Sequence, residues 1–206
     1  MTQLFQIHAK NPQLRLVRHV VTTLQEGGII VYPTDSAYAL GCQIGNKSAL
    51  ERIRNIRQLD KFHNFTLVCR DLSELAVYAK VDNPVYRLLK AYTPGAYTFV
   101  LNASKEVPRR LQHPKRKTIG LRIPDNEIAM AILEELSEPL MSVTLIMPGR
   151  SMPMSNSEEI YEQLDEQVDA IVDGGICDPV PTTVVDFSND EPRVLRKGKG
   201  DVEPFL

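Results

Sequence analysis

The chain has 206 residues, of which 43% are hydrophobic and 24% are charged, and its formal net charge is −2. This composition excludes a disordered chain and a protein that is basic over its whole surface, so any contact with nucleic acid has to come from a local patch. The three cysteines match neither a disulfide framework nor a zinc site, which predicts a reducing compartment and hence a cytoplasmic protein. No signal peptide or membrane span is expected, because no apolar run approaches the necessary length.

Helices and strands alternate along the chain. Apolar residues recur at helical spacing from Leu14 to Leu24, and Gly27 and Gly28 favour a helix end there. The later predicted elements are strands Ile29–Tyr32 and Leu40–Cys42, helix Lys47–Leu59, strand Phe65–Cys69, helices Leu72–Ala79 and Val85–Tyr92, strands Tyr97–Leu101 and Ile119–Ile123, helix Glu127–Leu136, strand Met141–Leu145, helix Glu158–Leu164, and strands Ala170–Val172, Thr183–Phe187 and Arg193–Leu195.

This order predicts an α/β fold with some α+β character. Strands separated by helical segments favour one domain over residues 1–206, with a core over about 14–198. The connections differ in length, so a twisted mixed β-sheet flanked by helices is expected rather than a fully parallel one. A monomer is the expected state.

A dense polar segment follows the first buried strand. Thr34, Asp35, Ser36 and Tyr38 lie in the loop that Pro33 opens. One interpretation is a turn whose side chains bond to their own backbone. The other is a set of binding groups displayed at the end of a rigid strand. The residues alone leave both open.

Positive charge gathers in three clusters although the net charge is negative, and this asymmetry favours phosphate-bearing partners. The first cluster, Arg52 to His63, could equally complement the dipole of a helix C-terminus. The third cluster is Arg193 to Lys199. The second could be a solvated face or an RNA-binding patch, and its candidate residues are Arg109, Arg110, Lys115, Arg116 and Lys117.

Familiar catalytic signatures are absent from the sequence. There is no phosphate loop, dinucleotide fingerprint or nucleophile elbow, and the four histidines have no paired metal spacing, so no metal site is predicted. The segment 148–157 is rich in Pro and Ser and is either a surface crossing or a lid over a site.

Four ordered segments resemble the YrdC-like family, whose best-known members are threonylcarbamoyl-AMP synthases, and are most similar to its YciO branch. The segments and the family patterns are Pro33–Gly41 for P-T-D-T-x-Y-G-L-G, Leu121–Pro124 for V-R-V-P, Asp173–Asp186 for D-G-G…P-S-T-V-V-D, and Leu195–Gly198 for L-R-P-G. The resemblance implies the family's fold, in which a twisted mixed sheet surrounds a positively charged cavity.

The resemblance also implies a reaction that condenses threonine, bicarbonate and ATP with release of pyrophosphate, so ATP with Mg²⁺ would be required if synthase activity is retained. Such chemistry needs cations around carboxylates and a triphosphate. In this family Thr34 and Tyr38 would face the amino acid, Lys61 the anionic centre, and Thr182 and Arg196 the nucleotide. No residue is assigned a catalytic role. The implied cavity residues are Thr34, Ser36, Tyr38, Arg57, Lys61, His63, Arg122, Thr144, Thr182 and Arg196.

The chain departs from the family pattern at three positions. Where synthases carry K-x-R, K-P-L and S-A-N, this sequence has Leu59 for the second basic residue, His63 for the lysine and Ile146 for the asparagine. Losing a charge-assisted partner typically costs about 1.5–3 kcal/mol, so turnover should be strongly reduced.

Two functions therefore compete. The first is binding of RNA, double-stranded or tRNA-like, or of a nucleotide, through a basic cavity and its rim. The second is a threonylcarbamoyl-AMP synthase activity that is weak or altered in substrate. The missing charges favour binding.

Overall fold

The computed structural model describes residues 1–60, 62–63, 65–189 and 191–206. Its elements are β1 (Gln3–Gln6), α1 (Leu14–Gln25), β2 (Ile30–Tyr32), β3 (Ala39–Gln43), α2 (Lys47–Arg57), β4 (Thr66–Val68), α3 (Leu72–Tyr78), α4 (Asn83–Tyr92), β5 (Tyr97–Asn102), β6 (Thr118–Arg122), α5 (Glu127–Leu136), β7 (Leu140–Thr144), α6 (Ser157–Leu164), β8 (Ala170–Asp173), β9 (Thr183–Asp186), β10 (Arg193–Arg196) and a 3₁₀ turn at Glu203–Phe205.

Within the described residues the strands form one ten-stranded sheet in the order β1-β8-β2-β3-β7-β4-β6-β5-β9-β10. The pairs β1–β8, β8–β2, β4–β6 and β5–β9 are parallel, and the other neighbours are antiparallel. This arrangement confirms the predicted single-domain α/β fold with a mixed sheet.

One face of the sheet is only partly covered. Helices α1 and α5 bury apolar stripes that include Val17 and Ile132 against strands β1, β8, β2, β3 and β7. The buried residues of α1 run from Val17 to Leu24 at the spacing i, i+3, i+4 and i+7, which gives the helix its buried side. Asn126 starts α5 by accepting a hydrogen bond from the Ala129 amide. The two helices cover this face as far as β4, whose Val68 still packs in the same apolar cluster.

The opposite face carries the larger core. Leu67, Phe99 and Leu121 project from β4, β5 and β6 into a cluster that also takes in Leu50 of α2 and Leu89 of α4. Every one of these side chains is buried. The strands β4, β6 and β5 are therefore stabilised by packing on this face, so their other face does not need to be covered by a helix.

The structure differs from the predicted elements at the two ends of the chain. Strand β1 was not predicted, because its residues are mostly exposed at a sheet edge and show no alternation of apolar and polar side chains. Phe205 is buried against Tyr92, Tyr97, Phe99 and Phe187. The packed structure thus extends on both sides of the expected core of 14–198.

Candidate functional site: a cavity on the uncovered half of the sheet

The uncovered half of the sheet face forms the floor of a cavity of about 490 Å³. Side chains two apart on a strand share a face, and on β4 Val68 packs beneath the helices whereas Thr66 lines the cavity. The rest of the floor comes from β5, β6, β9 and the residue before β9, through Thr98, Val100, Gly120, Val184 and Thr182. The floor therefore consists of threonines, valines and a glycine.

Gly120 lies at the centre of this floor. A Cβ atom added there would stand 2.9 Å from the Thr66 hydroxyl, 3.1 Å from the Phe65 carbonyl oxygen and 3.3 Å from the Thr98 methyl. A side chain at this position would crowd those neighbours and take up part of the cavity. The glycine keeps the floor low and the space open.

Arg57 brings the first cation to the rim from the last turn of α2. Its Nε donates a 2.9 Å hydrogen bond to the Thr144 carbonyl oxygen, and its Nη1 donates to the carbonyl oxygen of Ile146. Burial lowers the pKa of Arg57, but a guanidinium stays charged at neutral pH. Arg57 thus fixes the segment after β7 and leaves a positive charge beside the floor.

Arg196 brings the second cation, and a β-bulge aims it. Val194 pairs with Val185 but Arg196 pairs with Val184, so β10 has one extra residue between these pairs. The extra residue places Arg193 and Arg196 on the same face, which a regular strand would not do. Arg196 donates through Nε to the Thr182 carbonyl oxygen at 3.0 Å and through Nη2 to the Thr182 hydroxyl at 3.2 Å.

The Thr182 hydroxyl also lies 2.9 Å from that of Thr98. Burial and, to a lesser degree, the nearby charge of Arg122 lower the pKa of Arg196. An anion placed in the cavity would oppose this lowering of the pKa, because it supplies the opposite charge that the guanidinium lacks.

His63 and Asp60 are two further titratable groups on the cavity wall. Burial and the charge of Arg57 lower the pKa of His63, the Asp60 carboxylate opposes this shift, and Arg196 and Arg54 add smaller lowering contributions. The His63 ring packs edge-on against Phe65 with centroids 5.8 Å apart. His63 is therefore neutral near pH 7 and gains a proton more readily when an anion enters. Lys61, the implied anionic-centre residue, lies outside the described residues.

The polar loop after β2 is beside this cavity, and its hydroxyls are engaged with the protein itself. Thr34 donates to the Ala37 carbonyl oxygen at 2.6 Å, and Tyr38 donates to the Gly175 carbonyl oxygen at 2.6 Å. Burial raises the pKa of Tyr38 far above its ordinary range. The interpretation that these side chains bond to their own backbone thus describes Thr34, whereas Tyr38 bonds to a distant loop.

Arg122 joins this loop to the sheet. It forms a buried ion pair with Asp35 and donates to the Ser36 hydroxyl at 3.1 Å. Its Nε has no hydrogen-bond partner among the described residues. Cys177 lies close by, with its Sγ 3.7 Å from the Thr34 carbonyl oxygen, and burial raises the pKa of its thiol to about 11. The thiol is therefore protonated at neutral pH and is a poor nucleophile.

The implied residues thus fall into two groups. Arg57, His63, Thr144, Thr182 and Arg196 line the cavity. Thr34, Ser36, Tyr38 and Arg122 form the adjoining buried cluster, which reaches the cavity through the charge of Arg122 on Arg196. All three departures from the synthase pattern, Leu59, His63 and Ile146, face the cavity.

The predicted RNA-binding residues lie in the loop between β5 and β6, and all five are exposed. Four of them also contact other parts of the protein. Arg110 donates to the Gly45 carbonyl oxygen, and Arg116 pairs with the buried carboxylate of Asp186 at 3.2 Å. Lys117 donates to the Pro114 carbonyl oxygen at 2.9 Å. Lys115 lies over the ring of Phe62, with its Nζ 5.7 Å from the centroid.

Sequence reasoning missed Phe62 as a contributor to this region. Phe62 lines the cavity, and a lone aromatic in a polar segment gave no periodic signal. Lys199 belongs to the third predicted basic cluster, and it donates to the Asp35 backbone oxygen at 2.8 Å and pairs with Asp178 at 3.2 Å. The sequence could not predict the contact with Asp35, which lies more than 160 residues away.

No group of three His, Cys, Asp or Glu side chains that could hold a metal ion occurs in the described part of the chain. The helices of that part also include none with the length and apolar character needed to cross a membrane.

A family model for Sua5, YciO and YrdC proteins, described as "Telomere recombination", matches residues 22–198. The chain belongs to this family. It is 56% identical to the YciO protein of Escherichia coli (strain K12) over 206 residues, with full coverage of both chains, and the crystal structure of E. coli YciO superposes with a TM-score of 0.98.

A more distant relative is the threonylcarbamoyl-AMP synthase of Vibrio vulnificus, 28% identical over 186 residues that cover 88% of this chain and 98% of the synthase. The fold also matches that of P. abyssi Sua5 complexed with L-threonine, with a TM-score of 0.91 at 24% identity, covering 98% of this chain and 59% of that longer one. The chain is thus close to YciO and distantly related to the synthases.

Proposed function

We propose that the protein binds a nucleoside phosphate in the sheet cavity and does not turn it over at the rate of the family's synthases. The observation that carries the proposal is the pairing of a shallow hydroxyl-bearing floor with cations on its rim. Hydroxyls of Thr66, Thr98 and Thr182 can hydrogen-bond a ribose or phosphate, and Arg57 and Arg196 supply charge.

The size of the cavity supports the same ligand class. A volume of about 490 Å³ falls within the roughly 300–1,000 Å³ typical of small-molecule sites. The distant relation to threonylcarbamoyl-AMP synthase adds support, since the product of such an enzyme is an adenylate.

Titration calorimetry with AMP, ATP and adenosine tests this proposal. AMP and ATP should bind, and adenosine should bind more weakly because it lacks the phosphate that the arginines would hold. Arg196→Gln should lower AMP affinity about tenfold to a hundredfold, since a hydrogen bond to a charged group contributes about 1.5–3 kcal/mol. Arg15→Gln, on the exposed side of α1, is the matched control. Equal binding of adenosine and AMP would contradict the proposal.

The exposed β5–β6 loop supports a second candidate function, weak binding of structured RNA through phosphates. The exposure of all five basic residues favours it, and double-stranded RNA is contacted mainly by shape and phosphate. The test must leave Arg116 in place, because its removal would strand the buried Asp186 carboxylate.

The variant that tests RNA binding is therefore Arg109→Ala, Lys115→Ala and Lys117→Ala together. Affinity should fall for all RNA sequences alike, and the log–log salt slope should flatten by about two to three units for three lost phosphate contacts. An unchanged slope in a filter-binding titration would show that the loop is only a solvated face.

A further inference from the structure

A second cavity lies at the carboxyl ends of strands β4 and β6. The two strands are parallel neighbours, so both leave the sheet at the same edge. Strand β4 leads into α3, whose Leu75 packs in the larger core, whereas β6 leads into α5, whose Ile132 packs on the opposite face. Because the two connections turn to opposite faces, they leave a crevice between them, and open α/β sheets commonly bind ligands at such a point.

This β4–β6 crevice has the size of a small-molecule site. Its volume is about 410 Å³, within the roughly 300–1,000 Å³ typical of such sites. Among the described residues it shares no lining residue with the sheet cavity. Its apolar wall is formed by Leu72, Pro94, Ile123, Pro124 and Met130. A wall of this kind favours a ligand with an apolar body.

Some polar groups that line the crevice are engaged by the protein itself. Arg70 pairs with Glu74 at 2.9 Å, and its backbone amide donates to the same carboxylate at 2.7 Å. The Asp71 carboxylate accepts a hydrogen bond from the Glu74 amide at 2.8 Å, where α3 begins. These contacts hold the β4–α3 connection in place and offset the charge of Arg70, so the ionic partners of a ligand are the remaining charged groups.

The remaining charged groups lie on two sides of the crevice. Lys90 comes from the last turn of α4, and Asp125 and Glu127 come from the start of α5. All three are exposed, and within the part of the chain that the structure describes they have no hydrogen-bond or ion-pair partner. A ligand with both a carboxylate and an ammonium group can pair with both sides, whereas a simple anion would meet two uncompensated carboxylates.

We infer that the β4–β6 crevice binds a small zwitterion with an apolar side chain, such as a free apolar amino acid. Its carboxylate would pair with Lys90 and its ammonium group with Asp125 or Glu127. Its side chain would lie against Leu72 and Met130. The crevice is separate from the proposed nucleotide site, so the zwitterion and AMP should bind at the same time.

Titration calorimetry with L-leucine and its analogues tests the ligand class. Leucinol lacks the carboxylate and 4-methylpentanoate lacks the ammonium group, so each should bind about fivefold more weakly than L-leucine, the upper range for an exposed ion pair. L-Threonine should also bind more weakly, because its hydroxyl would lose water against the apolar wall. Tighter binding of L-leucyl-L-leucine than of L-leucine would identify a short peptide as the source of the zwitterion.

Variants assign each charge to its partner. Lys90→Gln should weaken L-leucine binding about fivefold and should not weaken leucinol binding, because leucinol has no carboxylate for the lysine to pair with. Asp125→Asn and Glu127→Gln together should weaken both L-leucine and leucinol and should not weaken 4-methylpentanoate. None of these variants should change AMP binding.

The matched controls are Arg87→Gln for the lysine and the double variant Glu158→Gln, Glu162→Gln for the two carboxylates. All three control positions are exposed and lie outside the crevice lining, so L-leucine should bind these variants as it binds the wild type. Thermal melting of each variant confirms that it is folded.

The outcomes separate this inference from the proposed nucleotide site. Failure of L-leucine to bind would overturn the crevice site, and failure of AMP to bind would overturn only the nucleotide site. Equal affinities for L-leucine and leucinol, or L-leucine binding that Lys90→Gln leaves unchanged, would overturn the pairing of a zwitterion across the crevice. Displacement of L-leucine by AMP would mean that the amino acid occupies the sheet cavity, and it would overturn the inference as well.

Discussion

The strands beneath α1 and α5 and the strands that floor the cavity belong to one sheet face, yet they carry different side chains. The covered half displays large apolar groups such as Ile30, Tyr32 and Val172. The uncovered half displays Thr98 and Gly120. On β4 the change occurs within a single strand, so the boundary is set by the choice of residue and not by a break in the sheet.

This difference shows how the fold separates stability from binding. The uncovered half is fully packed on its other face through residues such as Leu67, Phe99 and Leu121. Its exposed face can therefore vary in polarity at little cost in core burial. The covered half has no such freedom, since each of its inward side chains is buried by a helix.

The largest expected effect concerns synthase activity on the uncovered half. Leu59→Arg, His63→Lys and Ile146→Asn together should raise the release of pyrophosphate from ATP, threonine and bicarbonate by about a hundredfold or more, because two or three charge-assisted contacts of about 1.5–3 kcal/mol would be restored. A coupled pyrophosphate assay measures this. The same triple variant carrying Arg196→Ala should stay inactive, and wild-type turnover equal to that of a synthase assayed in parallel would contradict the expectation.

The second prediction tests whether the uncovered half contains a contact that stabilises the fold. Arg122→Ala would leave the buried Asp35 carboxylate without its ion-pair partner and should lower the free energy of unfolding by about 3–5 kcal/mol. Urea denaturation measures the change. The double variant Asp35→Ala, Arg122→Ala should be less destabilised than the two single effects added together. Additivity would mean that the pair is not coupled.

A substitution in the covered half should change the stability of the protein and leave AMP binding unchanged. Ile132→Ala removes a fully buried side chain of α5 and should cost about 2–5 kcal/mol in the free energy of unfolding. Thr98→Val, on the cavity floor, should cost less than this and should instead weaken AMP binding, because the Thr182 hydroxyl loses its neighbour. If both variants lost stability equally, the two halves would not differ as described.

The smallest effect is a pH dependence through His63. Its folded-state pKa is lowered by burial and by Arg57, so its contribution to stability is full above the unfolded-state pKa of about 6.5 and is lost as the pH falls below that value. Phosphate binding should change in the opposite sense and strengthen below pH 6.5, because the protonated ring attracts the anion. His63→Gln should flatten the affinity profile between pH 5 and 8. The phosphate's own protonation, with a pKa near 6, remains in the variant as the background.

The sequence predicted the sheet and helices well where burial imposes a pattern. Strands such as Ile30–Tyr32 are buried on both sides and so appear as short apolar runs. Strand β1 lies at an exposed edge and lacks that pattern. The family motifs predicted a cationic cavity, and Arg57 and Arg196 line one.

Long-range partners could not be predicted from the chain. In the sequence Arg116 belongs to a run of basic residues and was predicted to bind RNA, but in the structure it pairs with Asp186, 70 residues away. The hydroxyl of Tyr38 likewise finds its backbone acceptor, the Gly175 carbonyl oxygen, through a tertiary contact. The role of a charged or polar side chain depends on what the fold places opposite it, and residue type alone does not contain that information.

The β-bulge in β10 makes the charge of the cavity depend on strand register as well as residue identity. If β10 paired regularly with β9 beyond Val194, Leu195 would stand opposite Val184 and Arg196 would turn to the other face of the sheet. Deleting Leu195 would remove the bulge but leave the arginine opposite Val184, on the cavity face. A change that made β10 regular without shortening it would therefore remove this guanidinium from the cavity, while a motif search would still find L-R-K-G.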